Sequence, residues 1–484
     1  MDQVTEYILG FSTQAPFEVV SQVYVLGGWL IVFALLTKAG LMLLAAYKAI
    51  LYTKDWNFVL LAIDIPALNV QTPKAVEQLF THIFSVMEPA AIGTVYRRGF
   101  DQFRFSFEII SIEGYIQFLI RTLDTYRDVV EAAVYAQYPE AEITEVEDYT
   151  KGFPTKFPNE THNLWATDFG PRKHFAFPIR SYTEFEHSIS KDTVLKDPMG
   201  TFLESFSRIG PGEQMWHQII IEPLQESEWK EDCIKEIKKM IGEKSPSSGG
   251  AGGKILSELA DAPMKFLETA GDQIFGRESS TGGGDAKKDD GGPPNNLLYM
   301  TPGQKKVLEA MEDKISKIGF KTKIRSMYIA RKEVYNPSRG VNSLVGAMNQ
   351  FNNPYSNMIL PNYLTSTRYF FAEQRKEHRR NVLMNAYVNR DMYAGSTPYV
   401  LNIEELATLW HFPMSHVKTP LLQKSETKRA EPPPGLPMEV IGGGPAFDLP
   451  TQDDTEESDE DIFAPQKDYK IDGGQEYGED MKFG

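Results

Sequence analysis

The chain has 484 residues, a formal net charge of −16 and one cysteine, Cys233. A single cysteine excludes an intramolecular disulfide framework and suits a reducing compartment. A net acidic protein is a poor non-specific partner for nucleic acid, because the phosphate backbone rewards basic surfaces. The charge is uneven: Thr451 to Gly484 holds 12 acidic residues and 3 lysines, so the tail carries more than half of the imbalance. The tail is expected to be disordered. The length leaves room for two or three domains.

The strongest signal lies near the start. Val19 to Thr37, "VVSQVYVLGGWLIVFALLT", carries no charge, and the apolar pattern continues past Lys38 to Tyr47. About 20 such residues cross a bilayer. Two registers fit, one ending at Lys38 and one running from Val23 to Tyr47 with Lys38 inside. A mid-bilayer lysine costs about 2.5–3.5 kcal/mol, whereas each Leu or Ile returns about 0.3–0.6. The first register is therefore preferred, with the helix continuing into the interface. Asp2 and Glu6 replace the basic start of a signal peptide. Lys38, Lys48 and Lys54 follow the apolar run, so the positive-inside rule puts the N-terminus outside the cell membrane and the bulk of the chain in the cytoplasm.

After the span, "WNFVLLAIDI" (Trp56–Ile65) reads as a buried strand, and Thr72-Pro73 opens an amphipathic helix. Phe103, Phe105, Phe107 and Ile109 alternate, and Glu113-Gly114 makes a hairpin turn. A helix with Tyr126, Val129, Val130 and Ala133 follows, then a strand over Ala141–Asp148. This β-α-β-β-α-β order is a split βαβ, ferredoxin-like unit. The pattern partly recurs: strand Lys173–Ser181, a helix capped by Asp197-Pro198, strand Glu213–Pro223, and a helix with Trp229, Ile234, Ile237 and Ile241. Beyond a Gly-rich interruption come a helix capped by Thr301-Pro302, strand Phe320–Val334 and helix Ser338–Gln350.

The expected fold is α+β: an N-terminal transmembrane helix followed by tandem ferredoxin-like domains, with a disordered insertion and an acidic tail. The expected boundaries are 1–18 for the outer N-terminus, 19–50 for the span and 55–150 for the first domain. The second domain is split over 170–242 and 300–352 by a flexible insertion at 243–299. A helical segment covers 365–413, and a Pro-rich connector with the acidic tail covers 428–484.

Inside the insertion, "SSGGAGGKIL" (Ser247–Leu256) looks like a phosphate loop. Counted back from Gly253-Lys254, the first glycine position holds Ser248 and the Mg²⁺-ligating hydroxyl position holds Ile255, and no strand feeds the loop. It reads as a linker, and the stretch after it as an amphipathic docking helix. Tyr369–Met384 is an expected helix carrying the local basic cluster Arg375, Lys376, Arg379 and Arg380, a candidate nucleic-acid or partner contact or else a solvated face. In "YVLNIEELATLWHFP" (Tyr399–Pro413), Asn402 and Glu405 form a capping box, and Ile403, Leu406 and Trp410 share one face of a candidate docking helix.

The eight histidines lack zinc spacing, and no H-E-x-x-H or G-x-S-x-G occurs. His82 is expected to be a partly buried structural residue, and Cys233 to serve packing rather than nucleophilic chemistry. No catalytic residue, cofactor or metal is expected.

The stretches "RTLDTYRDVVEAAVYAQYPEAEITEVEDYT", "GPGEQMWHQIIIEP", "GVNSLVGAMNQFN" and "VLNIEELATLWHFP…KRAEPPPGLP" resemble a poorly characterised bacterial family. In that family a membrane helix and α+β domains precede a HerA-like or conjugative coupling-protein ATPase. The resemblance covers roughly Trp56 to Pro437, omitting the insertion. Where the family pattern continues into a Walker A motif, this chain has "DDTEESDEDIF" and a Gly-rich tail. The resemblance implies a non-enzymatic membrane scaffold. Its expected partners are the bilayer, a separate ring ATPase and further copies of itself, for a DNA-translocating or type IV secretion-like assembly. A DNA-binding accessory module, or a membrane domain without a motor partner, are the alternatives.

Overall fold

The computed structural model describes residues 28–66, 69–185, 197–242, 299–365 and 370–414. The outer N-terminus, the first part of the expected span, the insertion with its phosphate-loop look-alike and docking helix, and the connector with the acidic tail lie outside the described residues.

The first described element is helix α1 (Trp29–Thr53). It does not stop at Lys38, and its Val32–Thr53 portion is long and apolar enough to cross a membrane. Leu41, Met42, Leu43, Leu44, Ile50 and Leu51 are exposed along it. Those six together return roughly 2–4 kcal/mol on immersion, which offsets the cost of Lys38, so the lysine alone does not set where a span ends.

The body follows as β1 (Phe58–Asp64), α2 (Pro73–Ile83), α3 (Ile92–Arg97), β2 (Phe105–Ile112), β3 (Tyr115–Leu123), α4 (Arg127–Gln137) and β4 (Glu142–Val146). Then come β5 (His162–Pro171), α5 (Pro198–Ser207), β6 (Glu213–Pro223), α6 (Glu226–Ile241), α7 (Pro302–Ser316), β7 (Gly319–Arg331) and α8 (Pro337–Asn349). β8 (Ile359–Leu364), α9 (Ala372–Val388), β9 (Tyr399–Asn402) and α10 (Ile403–Leu409) complete it. Glu113 and Gly114 both have positive φ, 55° and 97°, the two-residue turn whose twist matches flanking antiparallel strands. Asp197 caps α5 through the Met199 N–H, and Thr301 with Gln304 forms a full capping box on α7.

The expected pair of separate sheets is one nine-stranded antiparallel sheet, in the order β4-β1-β3-β2-β6-β7-β5-β8, with β9 extending the free end of β7. The two halves meet where β2 pairs with β6, Phe105 opposite Ile221 through Ile112 opposite Gln214. The reason is burial. Phe105 to Ser111 is buried on both faces of the strand, so leaving that edge open would strand a row of unpaired backbone groups. The strand expected at Lys173–Ser181 is instead a loop, and the strand is His162–Pro171. Asn357 explains the loop: its side-chain amide donates to the carbonyls of His174 and Phe177 and its oxygen accepts the Lys173 N–H. These bonds occupy backbone groups that a ladder would need. The segment expected to be wholly helical at 365–413 includes strand β9, which pairs with Gly319–Thr322. His82 sits on the outward face of α2 and is exposed.

One sheet face carries the main core, with α2, α4, α5, α8 and α10 against Phe107, Phe118, Ile219, Ile324 and Tyr328. The opposite face carries a smaller core beneath α9, around Leu119, Trp216, Met327 and Tyr387. Helices α6 and α7 enclose a third cluster with Trp229, Cys233 and Met311. Burial pushes the Cys233 thiol up to about 11, so it packs as a neutral group.

Trp410 is fully buried and lies edge-on to Phe107 (4.8 Å) and Phe118 (5.8 Å), closing the main core from above. Trp410→Ala is expected to cost about 3–5 kcal/mol of stability, measured by urea unfolding of the detergent-solubilised chain.

Candidate functional site

The face under α9 holds an arrangement of charge that strand alternation disguises. Glu108, Gln218, Arg325 and Asp168 occupy β2, β6, β7 and β5 and stand directly opposite one another in register. They form one polar row across the middle of the sheet, and all four are buried. Residues 387–396, the end of α9 and the loop after it, answer this row position by position.

At one end, Arg390 reaches Glu108 with Nε and Nη2 (3.0 and 3.2 Å) and Asp148 with Nη1 and Nη2 (2.5 and 3.1 Å). Glu108 also accepts from Ser106 (2.6 Å), Tyr149 (2.8 Å) and Gln218 (2.9 Å). Gln218 donates to the Tyr387 carbonyl as well. At the other end, Arg325 donates from Nε to Asp168 (2.7 Å) and from its outer nitrogens to the carbonyls of Asp391 and Ala394. Asp168 accepts further from the Ser396 N–H (2.9 Å) and pairs with Lys323 (3.0 Å), whose ammonium also donates to the Ser396 carbonyl. Gly395 lies against Asp168 at φ 88°, where any side chain would collide with the carboxylate.

The electrostatics follow from these partners. Burial by itself would raise the Glu108 carboxyl, but the Arg390 charge and the hydrogen bonds from Arg390, Ser106 and Tyr149 outweigh it and hold the group below its ordinary value. Asp148 is lowered in the same way, with Arg390 and Thr150 outweighing partial burial. Lys323 is lowered, first by burial and then by the neighbouring Arg325 charge, against the pull of Asp168. A cluster with every charge partnered, and with solvent reaching only its Asp148 edge, binds its own chain, and its chemistry here is to fasten α9 and its following loop to the sheet.

The four basic residues expected on this helix do not act as one patch. Arg375 is exposed, and Lys376 lies 3.7 Å from Glu373. Arg379 donates to the Leu364 carbonyl and covers the Tyr363 ring at 5.0 Å. Arg380 turns to the Tyr335 hydroxyl. Of the candidate docking residues, Ile403, Leu406 and Trp410 are all buried against the chain's own α2 and sheet. Two internal pairs seat that helix. Lys314 meets Glu405 (2.8 Å), and His411 meets Asp197 (2.9 Å). Burial would raise Asp197, but His411 and the N–H groups of Met414 and Met199 hold it low.

Sequence reading missed the polar row. Lys321, Lys323 and Arg325 alternate with Phe320, Thr322 and Ile324, and such alternation reads as a solvent face. Among the described residues, no group of His, Cys, Asp and Glu has the arrangement to hold a metal ion. The cavities among the described residues include two shallow ones. One of about 220 Å³ is lined by Glu88, Asp101, Glu222 and Glu228, and one of about 250 Å³ by Asn69, Val70, Tyr138 and Glu140.

A mixed α/β body on one large antiparallel sheet, joined to one apolar N-terminal helix, defines the class. The chain belongs to the family described as a domain of unknown function (DUF8128), whose model matches residues 65–425. No curated protein matches the chain. The family description names neither an ATPase nor a secretion system.

Arg390→Met is expected to cost about 3–5 kcal/mol, because it leaves Glu108 buried and unpaired, and adding Glu108→Gln should return much of that loss. Denaturant titration of the single and double variants checks this. His217 is buried, its Nδ1 is hydrogen-bonded with the Ser326 hydroxyl (2.7 Å), and burial lowers it to about 3. The unfolded chain binds its proton below about 6.5, whereas the folded chain does so only below about 3. Its effect is absent above pH 6.5, and stability falls by up to roughly 1.4 kcal/mol per pH unit as pH drops from there towards 3. His217→Gln should flatten the upper part of that slope, between pH 6.5 and 5, in a pH series of unfolding curves.

Proposed function

We propose that this chain is a non-enzymatic, single-pass membrane scaffold. Its N-terminus lies outside, and its body lies on the cytoplasmic side as adaptor to a separate DNA-translocating or type IV secretion-like ring ATPase. The observation that carries this reading is the junction of the apolar helix with the body. The stripe Ala45, Lys48, Ala49 and Tyr52 of α1 is the half-buried face of an otherwise exposed helix, and it packs on α3. Gly99, at φ 87°, lets the chain pass against the Lys48 carbonyl, where a Cβ would collide. Tyr52 and Trp56 meet edge-on at 5.7 Å across the connection. A spanning helix fastened to a rigid sheet holds that sheet at a fixed distance and angle from the bilayer, which is what a platform for a large assembly requires. Lys48, Lys54, Arg97 and Arg98 lie on the body side of the apolar run, which supports the cytoplasmic orientation.

The strand order supports the ferredoxin-like reading of the two halves. Read outward from the β2–β6 seam, the first half runs β2-β3-β1-β4 and the second β6-β7-β5-β8, the same succession twice. We infer a fused pair of split βαβ units, with α2 and α4 serving one and α5 and α8 the other.

The test is affinity capture of the tagged full chain from detergent-solubilised native membranes, with partners identified by mass spectrometry. A HerA-like or coupling-type ATPase recovered in stoichiometric amount is the expected result. Recovery of the chain alone overturns the ATPase adaptor and leaves a self-assembling scaffold. Nucleotide hydrolysis by the purified chain that is lost in Lys254→Ala overturns the non-enzymatic reading.

A further inference from the structure

We propose that α3 is a membrane-interface foot, with Arg97 and Arg98 held at the level of anionic phospholipid headgroups beside the end of α1. The proposal rests on α1 spanning the bilayer. It adds where the bilayer surface meets the body and which lipid chemistry that surface selects.

The geometry starts from two opposite faces of α1. One face, Ala45, Lys48, Ala49 and Tyr52, lies against α3. The other carries exposed apolar side chains alongside that contact, as far as Ile50 and Leu51. If those residues are covered by lipid, α3 lies at the same depth on the far side of the helix. The candidate span Val32–Thr53 runs roughly 33 Å, close to the ~30 Å hydrocarbon core, which puts Lys48 in its last turn and a half, next to the interface.

The composition of α3 and of the residues flanking it suits that depth. Ala90, Ala91 and Gly93 are exposed and small, and Tyr96 is exposed, an aromatic at the level where such rings collect. Arg97 and Arg98 are exposed next to it, and Lys48 and Lys54 add two further cations from α1 and its end. The carboxylates nearby are Asp55 and Glu88, with Asp101, Glu222 and Glu228 lining the cavity beside Ala90; Asp101 and Glu222 are paired with Arg104, which leaves four cations to three anions. In a chain with a net charge of −16, a cationic excess at the one place where the body meets the apolar helix is the complement of an anionic membrane surface. Planar guanidinium groups bind phosphate oxygens in pairs, so the selected headgroup is an anionic phosphodiester lipid.

The experiment uses the full chain in nanodiscs of phosphatidylcholine, with and without phosphatidylglycerol. A nitroxide is placed at Tyr96→Cys or at Leu36→Cys, since native Cys233 is buried. Collision accessibility to oxygen and to a water-soluble nickel chelate gives the depth. The Leu36→Cys label should sit deep in lipid, and the Tyr96→Cys label at the headgroup level. Arg97→Gln with Arg98→Gln should move the Tyr96→Cys label towards water and reduce retained phosphatidylglycerol about 30-fold, at a tenfold loss for every 1.4 kcal/mol. A Leu36→Cys label in water overturns the span itself. A lipid-embedded Leu36→Cys label with a Tyr96→Cys label in water in both lipid mixtures overturns the foot and leaves the span standing. An interfacial Tyr96→Cys label indifferent to phosphatidylglycerol and to the two arginines overturns headgroup recognition.

Discussion

The polar row across the sheet is the constraint on which the rest of the body depends. Glu108, Gln218, Arg325 and Asp168 come from four strands, one from the first half of the body and three from the second, and none is solvated. Buried charge of this kind is tolerable only when every partner is in place. Arg390 and the 391–396 loop supply those partners, which obliges α9 to lie over the seam between the halves. An apolar row would hold α9 with less regard to position. The ionic row accepts it in one position only, because a shift along the row would separate Arg390 from Glu108 and Asp148.

The other face is organised by apolar area, and there the C-terminal part of the body plays the matching role. β9 pairs with β7, and α10 lies against α2 with Trp410 on Phe107 and Phe118. Lys314 donates to the carbonyls of Phe175 and Val400 while pairing with Glu405. Asp197 caps α5 and receives His411 and the Met414 N–H. Residues far apart in sequence are thus tied into one body from both sides of the sheet, by charge beneath α9 and by aromatic packing beneath α10.

This construction bears on function through stiffness. The halves share a continuous ladder at β2 and β6, so they have no hinge between them, and α1 joins the first half through a contact two helical turns long. Forces or positions set at the bilayer would pass to the far edge at β8 with little loss. That property is useful to a scaffold and of no special value to a soluble enzyme, and for this reason the membrane-platform reading is preferred to a hidden catalytic role.

Local features were legible in the sequence wherever short-range physics fixes them. The apolar helix, the Glu113-Gly114 turn, the caps at Asp197, Thr301 and Asn402, and most strands of the sheet follow from period, turn chemistry and capping. The strand misplaced to Lys173–Ser181 failed because a single distant side chain, Asn357, claims that segment's backbone groups. The basic cluster on α9 was visible as composition, but its division between solvent and protein depends on Tyr363, Leu364 and Tyr335, which no local pattern predicts. The fusion of two sheets into one and the burial of Lys323 and Arg325 were decided by tertiary structure alone. Alternation says which residues share a face, whereas what covers that face is set by segments more than fifty residues away in the chain.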